Sequence, residues 1–199
     1  MSKPDPLDHF TIREANDNDL QVITDLYNER ILNSTSLFVF ETLTLEDRKQ
    51  WLDDCKSQGY PVIVAEDKET KETAAFANFS SFRSKPAYNL SAEISVYIHP
   101  NYHRRGLGRL LVKEMNRIGK QMQFRAIYAV ITSENTPSIQ LFKSLNYRHV
   151  GTFKDVGYKF GKWLDVDFWE LIIEETQGPG DGVVPHFKHF QWGAYTFGQ

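Results

Sequence analysis

The chain has 199 residues and a formal net charge of −3, with 41% hydrophobic and 25% charged residues. These values describe one globular domain of ordinary composition. A mildly acidic chain lacks the broad basic face that general nucleic-acid binding needs, though a local cationic cluster remains open. The one cysteine, Cys55, cannot form an internal disulfide, so nothing asks for an oxidising compartment. The opening MSKPDPLDHF lacks a signal peptide's apolar core, and no apolar run approaches the roughly 18 residues of a membrane span. The expectation is a cytoplasmic protein with no nucleic-acid and no membrane partner.

In chain order, residues 1–8 read as a tail, 9–175 as one domain, and 176–199 as a Gly/Pro linker followed by an aromatic-rich tail. FTIREA alternates as a strand, and DNDLQVITDLYNERIL carries apolar residues at helical spacing. TLEDRKQWLDDCKSQ reads as a second helix, with Thr44 and Asp47 forming an acidic capping box and Gly59 following it. YPVIVAED and TAAFANFSSF read as strands around a polar turn. SAEISVYI is a third, with Ile94, Val96 and Ile98 on one face and Glu93, Ser95 and Tyr97 on the other. Leu107, Leu110, Leu111, Met115, Ile118 and Met122 line one face of a helix. AIYAVI is a short buried strand. TPSIQLFKSLN is a helix with Thr136 as its cap, Pro137 in its first turn and Asn146 in the left-handed position after its end. YRHVGTF and LDVDFWELII close the pattern as strands. The order β-α-α-β-β-β-α-β-α-β-β is mixed α/β without an internal repeat.

The stretch YHRRGLGRLLVKEM concentrates glycine and arginine where a strand gives way to a helix. A helix start leaves N–H groups unpaired and partially positive, glycine lets backbone approach a ligand, and arginines add charge. That chemistry suits a pyrophosphate. It is not a P-loop, since no Gly-Lys-Ser/Thr follows, and it lacks the third glycine of a Rossmann fingerprint. On spacing alone, a basic loop capping a helix explains it equally well.

SVYIHPNYHRRGLGRLLV resembles motif A of the GNAT N-acetyltransferases, Gln/Arg-x-x-Gly-x-Gly/Ala, with Gly106 and Gly108 matching and His103 in place of Gln or Arg. YNERILNSTSLFVF, FRSKPAYNLSAEISVYI, ENTPSIQLFKSLNY and VGYKFGKWLDVDFWE are similar, in the same order, to the phosphinothricin and methionine sulfoximine acetyltransferase branch. The likeness runs over residues 10–172. It implies the GNAT fold, a mixed central sheet flanked by helices. It also implies acetyl-CoA as cosubstrate, no metal, a small amino-acid-like acceptor and a homodimer. The alternatives are a peptide or protein N-acetyltransferase and a non-catalytic acyl-CoA-binding protein.

The resemblance assigns Glu93 as the base that frees the acceptor amine. It assigns backbone contacts to acetyl-CoA to Val96, Tyr97 and Ile98, and the pyrophosphate to His103, Arg104, Arg105, Gly106, Leu107, Gly108 and Arg109. Ordinary sheet pairing at 96–98 stays open on the sequence alone. Asn135 matches an asparagine near the CoA arm and equally suits a helix cap. Arg83 and Lys85 look like the cations that hold an acceptor carboxylate, and Phe38 like an aromatic of the acceptor pocket. Phe142 stands where the family has histidine or tyrosine and can donate no proton, and its spacing with Ile139 and Leu145 fits a core position. Tyr158 is a substitute acid or a packing aromatic. His186 and His189 lack further ligands at zinc spacing and read as tail residues. The tail itself either docks on its own domain or on a neighbouring subunit.

Overall fold

The computed structural model describes residues 5–199. The elements are α1 (Pro6–His9), β1 (Phe10–Glu14), α2 (Leu20–Asn33), α3 (Leu45–Gln58), β2 (Val62–Asp67), β3 (Thr73–Ser81), β4 (Ser91–Ile98), α4 (Leu107–Gln121), β5 (Ala126–Thr132), α5 (Thr136–Lys143), β6 (Arg148–Lys159) and β7 (Lys162–Ile172). Beyond the single turn α1 and short 3-10 turns, this is the order the sequence patterning predicts. The first residues of the expected tail, 1–4, lie outside the described residues.

The helix boundaries follow local chemistry. Thr44 and Asp47 cap α3 reciprocally: the Asp47 N–H donates to Thr44 Oγ1 at 3.1 Å and the Thr44 N–H to Asp47 Oδ2 at 2.8 Å. The helix stops at Gly59, whose φ of +76° is the left-handed conformation glycine adopts without strain. Asn146, after α5, has φ +66° as expected. The cap of α5 differs from expectation. Asn135, not Thr136, takes that place, its side chain accepting the Ser138 N–H at 3.3 Å. Pro137 then falls in the first turn, where its missing N–H costs nothing.

Among the described residues seven strands form one sheet in the order β1-β2-β3-β4-β5-β7-β6. All neighbours are antiparallel except β4 and β5, which are parallel. One face carries α4, whose Leu107, Leu111, Met115 and Ile118 are buried. Gly119 lets it approach closely: a Cβ there would stand 2.7 Å from Ile127 Cδ1 and 3.3 Å from Phe79 Cζ. The other face carries α2 and α3, where Tyr27 and Trp51 meet Tyr97 and Phe76 of the sheet. The buried Arg48 guanidinium lies over Tyr27 at 4.2 Å and Trp51 at 4.6 Å. Each fully buried aromatic or aliphatic side chain contributes about 1.5–3 kcal/mol, so these two packed faces dominate the stability of the domain.

The tail docks on its own domain. Phe187 packs on Tyr60 and Phe124, and His189 occupies the space a Cβ on Gly59 would take. The Phe190 N–H donates to Gly59 O at 2.9 Å and Trp192 Nε1 to Tyr60 O at 3.2 Å. The N–H groups of Gly193 and Tyr195 donate to the Glu14 carboxylate, and the Tyr195 hydroxyl donates to Glu114 at 2.7 Å. Among the described residues no helix is long and apolar enough to cross a membrane.

Candidate active site

Strand β4 bonds to β3 from Ala92 to Ile98 but to β5 only from Ser91 to Glu93. From Ile94 onward the two parallel strands part, and a cleft of about 560 Å³ opens between them. Glu93 to Ile98 form one wall and Ala129 to Thr132 the other. His103, Arg104 and Asn135 stand at the end nearest α4 and α5, Leu141 and Phe142 line the α5 side, and Arg30 in the last turn of α2 borders it with Ser36 and Leu37 of the loop that follows. Backbone groups of β4 beyond Glu93 have no strand partner on the β5 side, which leaves them for a ligand.

The loop between β4 and α4 is shaped by two left-handed residues, Arg104 at φ +62° and Gly106 at φ +85°. Glycine at 106 serves the backbone turn, and a Cβ there would meet Pro6 of α1 at 2.8 Å, away from the cleft lining. Gly108 answers a different need: a Cβ would come within 3.1 Å of both Ile98 Cδ1 and Leu141 Cδ2, so glycine lets α4 start tight against the cleft's side chains. The start of α4 therefore presents unpaired N–H groups and a positive dipole end beside the cleft mouth.

The three arginines do not act together. Arg104 lines the cleft. Arg105 lies over the Tyr102 ring at 5.1 Å, and Arg109 donates to the Ser144 hydroxyl at 2.9 Å. His103 also lines the cleft, its Nε2 3.1 Å from Ile98 O. Leu107 is core and offers only its backbone.

Glu93 sits where the strands separate, on the face shared with Ser95 and Tyr97. Burial raises its pKa above the ordinary glutamate value, and the nearby Arg83 charge opposes that rise. A half-buried carboxylate so placed is a candidate proton acceptor. Tyr97, stacked on Phe76 at 4.7 Å, has its phenol pushed well above the usual tyrosine range by burial, so it stays protonated.

Arg83 and Lys85 are both exposed, just before β4. Arg83 folds over Phe82 at 4.6 Å, and Phe82 stacks on Tyr128, the β5 partner of Glu93. Phe38 is 42% exposed and lies against Gly157 of β6, outside the cleft lining. Phe142 is 4% exposed, packs on Tyr147 at 4.9 Å and also lines the cleft, so it is core and wall at once. Tyr158 is 51% exposed beside Trp163 and does not line the cleft. Cys55 is buried in α3, where burial pushes its thiol up to about 11, and takes no part.

The sequence alone did not single out the β5 wall, the α2 boundary at Arg30, Ser36 and Leu37, or Lys159. The buried lysine between Tyr158 and Phe160 was the available signal, since lysine seldom occupies an apolar strand without a partner.

The acetyltransferase (GNAT) domain model matches residues 12–168. The chain belongs to the GNAT acetyltransferase family. It is 35% identical over 174 residues to the L-methionine sulfoximine/L-methionine sulfone acetyltransferase of Salmonella typhimurium, covering 85% of this chain and 98% of that protein. It is 36% identical over 160 residues to the phosphinothricin N-acetyltransferase of Streptomyces coelicolor, covering 80% and 94%. The crystal structure of a GNAT superfamily phosphinothricin acetyltransferase from Sinorhizobium meliloti, in complex with acetyl-CoA, superposes with a TM-score of 0.82 at 30% identity, over 89% of this chain and 96% of that one.

Proposed function

We propose that this chain transfers the acetyl group of acetyl-CoA directly to the amine of a small amino-acid-like acceptor of the phosphinothricin or methionine sulfoximine type. The observation that carries the reading is Glu93, a half-buried carboxylate of raised pKa at the point where β4 and β5 part. The relatives named above act, by their names, on such acceptors.

The residues present fit acetyl-CoA. The unpaired edge of β4 at Val96, Tyr97 and Ile98 has the length and polarity to bond an extended pantetheine arm. The turn of His103, Arg104, Gly106 and Gly108, with the N-terminus of α4, suits the pyrophosphate. Arg105 and Arg109 add charge from the rim, and Asn135 adds a polar group at the start of α5. Glu93 takes the proton of the acceptor ammonium, directly or through a water. The free amine attacks the thioester carbon, the carbon–sulfur bond breaks, the proton held by Glu93 passes to the sulfur through water, and the second proton of the attacking nitrogen leaves to solvent. This route needs no donor at Phe142 and no acyl-enzyme. Arg83, helped by Lys85, holds the acceptor carboxylate; without an acceptor, its charge opposes the rise that burial gives the Glu93 pKa. Phe38, outside the cleft lining, bears on the acceptor side only through the loop that its ring anchors at Gly157. The enzyme works in the cytoplasm, a reading supported by its single free thiol. A homodimer is supported by the exposed apolar Val150, Phe153, Val156 and Trp163 on the edge hairpin.

The test is thiol release from acetyl-CoA with methionine sulfoximine, phosphinothricin, free amino acids and matching amines without the carboxylate. The carboxylate-bearing acceptors are expected to turn over best, and Arg83→Ala to raise their KM without changing acetyl-CoA affinity. Preference for carboxylate-free amines, or for a peptide N-terminus, would overturn the acceptor assignment.

A further inference from the structure

We infer that Lys159 is a positioning residue: with Gly157 it fixes the segment 34–38, whose Ser36 and Leu37 border the cleft, and so sets acceptor binding. The inference rests on the acceptor entering between that segment and β4.

Lys159 is only 3% exposed, and no carboxylate pairs with it among the described residues. An ammonium removed from water is costly unless its donors are used. Here all three are. Nζ donates to Ile31 O at 2.7 Å, Ser34 O at 3.0 Å and Leu37 O at 2.7 Å. Capping α2 explains only the bond to Ile31 O, a last-turn carbonyl; Ser34 and Leu37 lie beyond the helix. The helix end has its own local cap, with the Ser34 N–H and hydroxyl both donating to Arg30 O. The lysine reaches past the helix to Leu37, a cleft residue.

The hairpin is built to deliver it. Phe160 and Gly161 both have positive φ, 52° and 77°, the requirement of a tight two-residue turn. Lys159 and Lys162 are therefore direct partners across the ladder, and paired residues project to the same side. Lys162 Nζ binds Glu134 Oε2 at 2.6 Å, and Glu134 Oε1 accepts the Thr35 hydroxyl at 2.6 Å. Two residues before Lys159, Gly157 leaves the space that the Phe38 ring fills: a Cβ there would overlap the ring. The segment 34–38 is thus gripped at Thr35, Leu37 and Phe38 by residues that do not line the cleft, while its Ser36 and Leu37 do.

The experiment is steady-state kinetics of Lys159→Met and Lys159→Arg, using whichever acceptor of the panel the parent turns over best. Failure of the amino-acid reading therefore leaves this test standing. Lys159→Met is expected to lower acceptor kcat/KM by about tenfold to 10²-fold, the scale of a small misplacement, with the acetyl-CoA Kd within about twofold of the parent. Lys159→Arg should recover part of the loss. Parent-like acceptor kinetics for Lys159→Met, or an equal loss of acetyl-CoA affinity, would overturn the inference. If Lys159→Met does not fold, Gly157→Ala decides. It keeps the lysine and displaces Phe38, so a raised acceptor KM supports the inference and a parent-like KM overturns it.

Discussion

Strand β4 has two edges with opposite fates. Toward β3 it is paired from Ala92 to Ile98, and the side chains above that ladder, Phe76 and Tyr97 on one face and Phe79 and Ile94 on the other, are packed as core. Toward β5 the pairing ends at Glu93, and a cleft replaces it. The paired edge follows the ordinary logic of a sheet, every backbone group answered by a neighbour. The open edge breaks that logic, and the same region holds a buried Thr132 hydroxyl with no partner among the described residues and a carboxylate of raised pKa. Stability is concentrated on one side of the strand and chemistry on the other.

Substitutions along the open edge should separate these roles. The largest effect belongs to Glu93→Gln, expected to lower turnover about 10²-fold or more, the scale of a general base, with the acetyl-CoA Kd unchanged. The parent's pH–rate profile should fall on the acidic side as Glu93 is protonated, at a pH above the ordinary glutamate range because burial raises its pKa. The variant should lose that limb. The sign for stability runs the other way. A carboxyl whose folded pKa is raised favours folding below its unfolded pKa, and its ionised form works against folding above the folded pKa. Glu93→Gln should therefore melt no lower than the parent at neutral pH, whereas a structural Glu93 would show parent-like turnover.

Gly106→Val comes next. Its left-handed backbone and the neighbouring Pro6 leave no room for a branched side chain, so the turn must rearrange. Acetyl-CoA affinity measured by calorimetry should fall at least about tenfold, about 1.4 kcal/mol. Unchanged affinity in a folded variant would falsify the placement of the pyrophosphate. The smallest effect is expected at Phe142, which belongs to core and cleft together. Phe142→Tyr should cost less than about 1.5 kcal/mol of stability and leave the chemical rate no lower than the parent's. A large loss of single-turnover rate would show that the phenyl ring itself shapes the reaction site.

The difference between the two edges also marks what the sequence could convey. Alternation at Glu93–Ile98 identifies β4 and its faces, and the apolar stripe of α4 identifies the helix that covers one of them, because both are local periodicities. Which partner each edge finds is not local, so the end of pairing at Glu93 left no trace in the pattern. The arginines illustrate the same limit. Composition groups Arg104, Arg105 and Arg109, but their places on the turn and the helix send only Arg104 to the cleft lining. Strand β6 extends past the expected YRHVGTF to Lys159 because Asp155, at φ +50°, interrupts the alternation and the register shifts between Phe153 and Gly157. That hidden extension is what brings Lys159 to its three carbonyls. The capping box of α3 and the left-handed Asn146 were legible because their chemistry is complete within a few residues.

Amide-resolved hydrogen exchange on the parent protein, with and without acetyl-CoA, tests the central claim most directly. Without the cosubstrate, β4 amides from Ser95 to Ile98 that do not bond to β3 should exchange faster than those that do. Saturating acetyl-CoA should slow the open-edge amides, together with the first amides of α4, and leave the β3 ladder unchanged. Protection elsewhere, with the open edge of β4 exchanging as before, would contradict the account.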